Sequence, residues 1–239
     1  MQLDGIEGRV SFVTGGAQGI GRCMAETFRR LGAHSVAGDL REPEIEGVLG
    51  VRIDVSDEAA VDEAFGQIER EVGPVELLVI NAGILHKAPL EETALGDWQR
   101  VIDVNLTGAF LCAKRAMGAM REKGSGRVVM VGSSAGINGA GAAPPPLPAY
   151  AASKAGVMTL AKSMAGEYAR YGVTVNAIAP TLIDTGMLST LSADFRNAIP
   201  VGRYGTPQEV ADLTAFLCSA HAGYITGEVV DINGGYLID

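Results

Sequence analysis

Val10-Ser11-Phe12-Val13-Thr14-Gly15-Gly16-Ala17-Gln18-Gly19-Ile20-Gly21 runs an apolar, β-branched segment straight into a glycine-rich turn, and a helical pattern follows at once. The apolar run reads as a strand covered on both faces. Glycines allow the sharp turn, let the backbone approach a pyrophosphate, and let the helix pack closely on the strand. The helix start then offers free N–H groups and a partial positive charge to phosphates. The spacing is G-x-x-x-G-x-G, and no Lys-Ser/Thr follows the last glycine as it would in a P-loop. A purely structural glycine turn is the competing reading. Placement directly after the first strand favours a nucleotide cradle formed by Gly15, Gln18, Gly19, Ile20 and Gly21.

Outward from this stretch, short β-branched runs alternate with longer helical patterns to the end of the chain. Strands are predicted at residues 10–14, 35–39, 51–54, 77–81, 127–132, 174–179 and 229–232. Helices are predicted at 19–31, 58–72, 97–123, 150–171 and 207–220. This alternation predicts an α/β fold with a doubly wound parallel sheet, as a single domain over residues 1–239. Residues 40–50 are too few for a full helix plus loops, so the second crossover should be abbreviated. In such sheets ligands bind at the carboxyl ends of the strands. Asp39, Asp54-Val55 and Asn81-Ala82-Gly83 close the second, third and fourth strands. An acid at Asp39 can bond both adenosine ribose hydroxyls and repels a 2′-phosphate, which favours NAD over NADP. A capping or turn role for Asp39 is the alternative, and Arg41 nearby softens the discrimination.

Composition narrows the class. The chain has 239 residues, 47% hydrophobic and 20% charged, with a net charge of −9. That charge and the lack of a Lys/Arg cluster speak against nucleic acid and anionic membranes. No apolar run approaches the roughly 20 residues that span a bilayer, and the N-terminus lacks signal-peptide regions. Cys23, Cys112 and Cys218 are scattered and read as buried thiols of a cytoplasmic protein, with no metal site expected. Pro144-Pro145-Pro146-Leu147-Pro148 reads as a stiff surface or pocket loop, with a proline-motif partner ligand as the alternative.

The chemistry points to Tyr150-Ala151-Ala152-Ser153-Lys154. A phenol is a poor proton carrier near neutrality, with a reference pKa of about 10. An ammonium one helical turn away shares its face and should pull that pKa toward the working range. Without the nucleotide cradle, the pair would be an ordinary surface pair.

With the cradle, the chain resembles the classical short-chain dehydrogenase/reductase family over essentially its whole length. The resemblance rests on Thr14-Gly15-x-x-x-Gly19-x-Gly21, Asn81-Ala82-Gly83, Asn105 within Val104-Asn105-Leu106, Tyr150-x-x-x-Lys154 and Ile183-x-Thr185. It implies a Rossmann-like sheet of seven parallel strands in the order 3-2-1-4-5-6-7. It also implies hydride transfer between nicotinamide and a carbonyl or alcohol carbon. By this resemblance Tyr150 is the general acid/base, and Lys154 holds the nicotinamide ribose and biases Tyr150 toward its anion. Asn105 holds a water leading to solvent. Ser133, chosen over Ser134 by its distance from the strand-opening Arg127, polarises the substrate oxygen. Gly15, Gln18, Gly19, Ile20, Gly21, Asp39, Asp54, Val55, Asn81, Ala82, Gly83, Tyr150, Lys154, Pro180, Ile183 and Thr185 would hold the cofactor.

Two departures stand out. The interval from Ser133 to Tyr150 exceeds the family's usual one, the excess being assigned to the proline-rich stretch. Pro180-Thr181 replaces a common Pro-Gly, where a side chain could narrow the pocket or shift the nicotinamide. Residues 186–203 read as a substrate lid with Met187, Leu188, Leu191 and Phe195 as apolar candidates, and Met187 ranks first. His86 reads as a surface residue or as an edge of the substrate site.

The expected activity is NAD-linked oxidation or reduction of a secondary alcohol or ketone: a polyol, a cyclic alcohol or a 3-hydroxyacyl group. A 3-oxoacyl-[acyl-carrier-protein] reductase using NADPH is the runner-up, and Tyr171 stands where such enzymes often place Arg. A non-catalytic NAD-sensing module is the contrasting class. The resemblance implies a homotetramer, or a homodimer, on the helices 97–123 and 150–171. Ala109, Ala113, Ala116, Ala161 and Ala165 would either pack in that interface or lie against the sheet.

Overall fold

Alternation of side chains along the strands explains why the apolar runs are nearly unbroken. The computed structural model describes residues 3–139, 146–185 and 196–238. Its strands are β1 (Val10–Thr14), β2 (His34–Asp39), β3 (Leu49–Arg52), β4 (Leu77–Ile80), β5 (Gly126–Val131), β6 (Val173–Pro180) and β7 (Val229–Ile232). All pair in parallel, in the order β3-β2-β1-β4-β5-β6-β7. The helices are α1 (Gly19–Arg30), α2 (Glu58–Glu71), α3 (Leu95–Ile102), α4 (Gly108–Lys123), α5 (Ala135–Asn138), α6 (Pro148–Tyr168) and α7 (Pro207–Cys218). The expected doubly wound architecture and strand order are therefore present. β2 reaches β3 without a helix, as the short residue count required.

Phe12, Leu78, Ile80, Val128, Met130, Val175 and Ala177 face the layer of α2, α4 and α6. Their neighbours Val13, Leu77, Val79, Val129, Val131 and Ile178 face the layer of α1 and α7. This two-residue period is what a sheet buried on both sides imposes. The centre of the first layer is an edge-to-face pair, Phe12 and Phe65, with ring centroids 5.2 Å apart. Arg115 covers the outer side of Phe65 and forms a two-toothed ion pair with Glu69. Ala109, Ala113, Ala116, Ala161 and Ala165 all lie in this sheet-facing core, so their small size serves helix–sheet packing.

The predicted helix over 97–123 is interrupted. α3 ends at Ile102, a π-helical turn spans Asp103–Thr107, and α4 begins at Gly108. Gly108 sits against Val55, where a side chain would begin 2.8 Å from a Val55 methyl. Cys112 and Cys218 are buried, which pushes both thiols up to about 12. No helix of the described residues is long and apolar enough to cross a membrane. Phe12→Ala is expected to cost about 3–5 kcal/mol of stability. Urea unfolding of the two proteins at equal concentration measures it.

Candidate active site

The glycine turn is built by close contact. A side chain on Gly21 would begin 2.1 Å from the Gly15 carbonyl oxygen and 2.6 Å from Asn81 Nδ2, so only hydrogen fits. The Thr14 hydroxyl accepts the N–H groups of Asn81 and Ala82, at 3.0 and 3.2 Å. In return Asn81 Nδ2 donates to the carbonyls of Thr14 and Gly15, at 3.0 and 3.1 Å. The ends of β1 and β4 are thus clamped together. The amide nitrogen of Asn81 is used on that clamp.

The N-cap Gln18 of α1 makes no side-chain capping bond, and the first turn carries no acid. Its N–H groups therefore meet an anion without a competing carboxylate. Asp39, at the end of β2, accepts from Ala17 N at 3.2 Å and from Leu40 N at 2.8 Å, which sets its carboxylate beside the turn. Thr185 leans over the same turn, its methyl 3.6 Å from where a Gly19 side chain would begin. A glycine cradle that any Cβ would fill, an uncapped helix start and an adjacent acid are together the donor set a nicotinamide dinucleotide requires.

Pro148 starts α6, placing Tyr150 in its first turn and Lys154 one turn further on. Burial raises the Tyr150 phenol above its ordinary value, and a hydrogen bond with the Ser133 side chain opposes that shift. Ser133 also accepts from Ala135 N at 3.2 Å, while Ser134 is tied through its backbone to Pro180. Ser133 is thus the serine that meets the phenol. Lys154 is 4% exposed. Its Nζ donates to the Val131 carbonyl at 2.7 Å and lies 5.8 Å from the Tyr150 ring centroid. Burial lowers its pKa to about 8. The expected lowering of the phenol by Lys154 is absent here. The ammonium is turned to a strand carbonyl, and burial dominates the phenol.

Asn105 sits in the π-helical turn and is 1% exposed. Its Oδ1 accepts Ile84 N at 2.8 Å, while Nδ2 donates to Ile84 O and to Ser153 Oγ, both at 3.0 Å. Its amide is a bracket for the segment after β4. Gly83 lies in the gap beside it, where a side chain would begin 3.2 Å from Asn105 Oδ1 and 3.4 Å from Lys154 Nζ.

Other candidates divide. Ile183 is buried and bridges in parallel to Gly205, and Pro180 ends β6. Asp54 turns back on Ser56, accepting both its N–H and its hydroxyl. The Val55 side chain belongs to the core against Gly108. The Ser56 bonds use Oδ1 of the exposed Asp54 carboxylate, and the Val55 side chain faces the core. Thr181 lines a cavity of about 140 Å³ together with Ile199, Arg203, Glu209 and Asn233. His86 Nε2 stands 4.0 Å from Asp97 Oδ2 without a hydrogen bond. Pro144, Pro145, Met187, Leu188, Leu191 and Phe195 lie outside the described residues. Two residues that sequence reading left aside, Thr14 and Ser153, prove to be tied into the site. A hydroxyl at the last position of a strand, and one inside the Tyr150–Lys154 turn, were the signals available.

The family model described as enoyl-(acyl carrier protein) reductase matches residues 15–237. The 3-oxoacyl-[acyl-carrier-protein] reductase of Escherichia coli is 38% identical over 241 residues, covering 96% of this chain and 97% of that protein. The chain belongs to the short-chain dehydrogenase/reductase family. A second relative in the family is the cis-4-hydroxycyclohexanecarboxylate dehydrogenase of Sinomonas cyclohexanicum, 40% identical over 243 residues, with 95% and 96% of the two chains covered. The structure of a putative gluconate dehydrogenase from Agrobacterium tumefaciens superposes with a TM-score of 0.88 at 30% identity, over 99% of this chain and 98% of that one. Membership makes the protein an oxidoreductase of hydroxyl or keto groups with a nicotinamide cofactor.

Lys154 leaves a signature in stability. The folded chain holds its proton less tightly than the unfolded chain, whose value is near 10.5. The resulting cost is complete below about pH 8 and fades as pH rises toward 10.5. Wild-type stability relative to Lys154→Met is therefore expected to rise across that window, as thermal melts from neutral to alkaline pH would record.

Proposed function

We propose that the protein is an NAD-linked dehydrogenase/reductase that interconverts a secondary alcohol and its ketone, with Tyr150 as the general acid/base. The observation that carries this is the buried Tyr150 phenol beside the Ser133 side chain at the carboxyl edge of the sheet, with Lys154 and the glycine cradle on the same edge. Two hydroxyl donors meeting at one point suit an oxygen that gains negative charge, as a carbonyl oxygen does on reduction. When bound, the nicotinamide would supply or accept the hydride. Tyr150 gives its proton to the new alkoxide during reduction, or takes it from the alcohol during oxidation. Ser133 orients the same oxygen. Lys154 and the backbone at Gly83 would hold the ribose side of the cofactor, and Ile183 and Thr185 would hold its carboxamide side.

Asp39 supports the choice of NAD. Its two carboxylate oxygens flank the cradle, and a 2′-phosphate would meet their charge. The substrate class is a small hydroxy or keto compound, such as a cyclic alcohol, a polyol or a 3-hydroxyacyl group. A second reading, a 3-oxoacyl-[acyl-carrier-protein] reductase using NADPH, is favoured by the name of the E. coli relative. Residues 1–239 would act as one NAD-binding domain. The protein would assemble as a homotetramer through the outer faces of α4 and α6, where Phe110 of α4 is 47% exposed. Its unpaired thiols suit the cytoplasm.

Tyr150→Phe is expected to keep NADH affinity, read by fluorescence titration, and to lower turnover on a ketone panel by roughly 10²–10⁴-fold. Unchanged turnover would defeat the assignment. A phenol raised by burial stays protonated through neutrality, so reduction should hold its rate there while alcohol oxidation climbs as the medium becomes alkaline. Asp39→Ser should narrow the preference for NAD over NADP. Brisk NADPH-dependent reduction of a carrier-linked 3-oxoacyl group by the wild type would instead establish the second reading.

A further inference from the structure

The Tyr150–Lys154 turn contains a third hydroxyl group, and its surroundings are fully determined. Ser153 is 0% exposed. Its hydroxyl donates to the Tyr150 carbonyl at 2.7 Å and accepts from Asn105 Nδ2 at 3.0 Å. The first bond alone is an ordinary helical back-bond from a serine to the preceding turn. The second is not, because it reaches across to the π-helical turn before α4. The other Asn105 groups are used on Ile84, whose N–H and C=O are both held. One amide therefore joins two pieces of backbone: the start of α6, through Ser153, and the Gly83–Ile84 segment.

We infer that Ser153 is a positioning residue for proton transfer. Its hydroxyl locks the Asn105 bracket to the catalytic turn and so fixes Gly83 and Ile84 beside the Lys154 ammonium. The back-bond to Tyr150 points the Ser153 proton away from Asn105, leaving the oxygen as the acceptor that Asn105 needs. Without that acceptor one Asn105 N–H is stranded in a buried place, which is costly enough to make the amide move. Its movement carries Ile84, held by two bonds, and Gly83 with it. Gly83 is where a displacement matters, because Asn105 Oδ1 and Lys154 Nζ lie immediately on its far side. The effect on catalysis rests on the roles proposed above for Tyr150 and Lys154. The mechanical link rests on the hydrogen bonds alone.

The experiment uses the full-length protein with Ser153→Ala, and Ser153→Cys as a near-isosteric variant that decides the matter if the alanine form does not fold. Amide hydrogen exchange at Ile84, followed by NMR on the cofactor-free protein, should accelerate roughly tenfold. On a ketone that the wild type reduces, kcat should fall about tenfold and the midpoint of its pH profile should move, with KM little changed. Ile84 exchange within about twofold of wild type overturns the link. Faster exchange with an unaltered kcat and pH profile overturns the positioning role and leaves a purely structural tie. Because the exchange readout needs no turnover, its failure is separate from failure of the oxidoreductase assignment, which Tyr150→Phe tests.

Discussion

A lysine ammonium held almost out of water by one strand carbonyl is the constraint around which the rest of the site is arranged. Lys154 donates to Val131 at 2.7 Å and is 4% exposed, a placement that brings its pKa to about 8. A buried cation with a single neutral acceptor is poorly compensated, and the deficit is relieved by any polar group that can join it. The backbone at Gly83 lies beside that Nζ, which stands 3.4 Å from where a Gly83 side chain would begin. The helix that carries Lys154 is packed against β5 and β6 through Val157, Met158 and Ala161, so the ammonium cannot retreat to solvent without moving the core.

The strand edge around it is made rigid by reciprocal bonds. Thr14 and Asn81 tie β1 to β4, Ser134 and Pro180 tie β5 to β6, and Asn105 ties the segment after β4 to the helix of Tyr150. The first and last of these ties use side-chain polar groups, while Ser134 and Pro180 are joined backbone to backbone. The Asn81 amide nitrogen holds two backbone carbonyls, and the Asn105 amide holds the Ile84 backbone and the Ser153 hydroxyl.

Most of the architecture could be read from the amino acids because each strand must bury two faces and each crossover must span a fixed distance. The run at Leu77 has no polar face to offer, and the few polar residues of the Val10 and Val173 runs are buried with their apolar neighbours, so a covered parallel sheet was the available solution. Boundaries moved by a residue or two where ladder bonds outlast the apolar run, as at His34 and Leu49. The break before Gly108 was not legible, because Asp103–Thr107 has ordinary helical residue types. The wide turn follows from the Asn105 bonds to Ile84 and Ser153, which are contacts between segments far apart in sequence. The raised Tyr150 phenol reflects burial, which helical spacing does not show. Spacing puts Lys154 on the same helical face, but the direction of its ammonium is decided by Val131 on another element.

The loop after β6 bounds a cavity whose wall is fixed by its neighbours. Three proteins of the same fold carry names for a carrier-linked acyl group, a cyclic hydroxy acid and gluconate, so the fold leaves the substrate open. Thr181 stands where a glycine is common, and its hydroxyl is buried without a partner in the cavity bounded by Arg203, Glu209 and Asn233. Leu182 follows with φ of 50°, the one positive value among the described non-glycine residues, a conformation that a branched side chain adopts at some cost. Such strain survives only where neighbours fix it. Here Gly205 donates to Leu182 O and accepts from Asp184 N, and the Gly205 Cα lies so near Ile183 that a side chain would begin 2.6 Å from its Cδ1. The loop is thus pinned from behind. Thr181 therefore sets a branched side chain, its hydroxyl buried without a partner, on a fixed wall of that cavity.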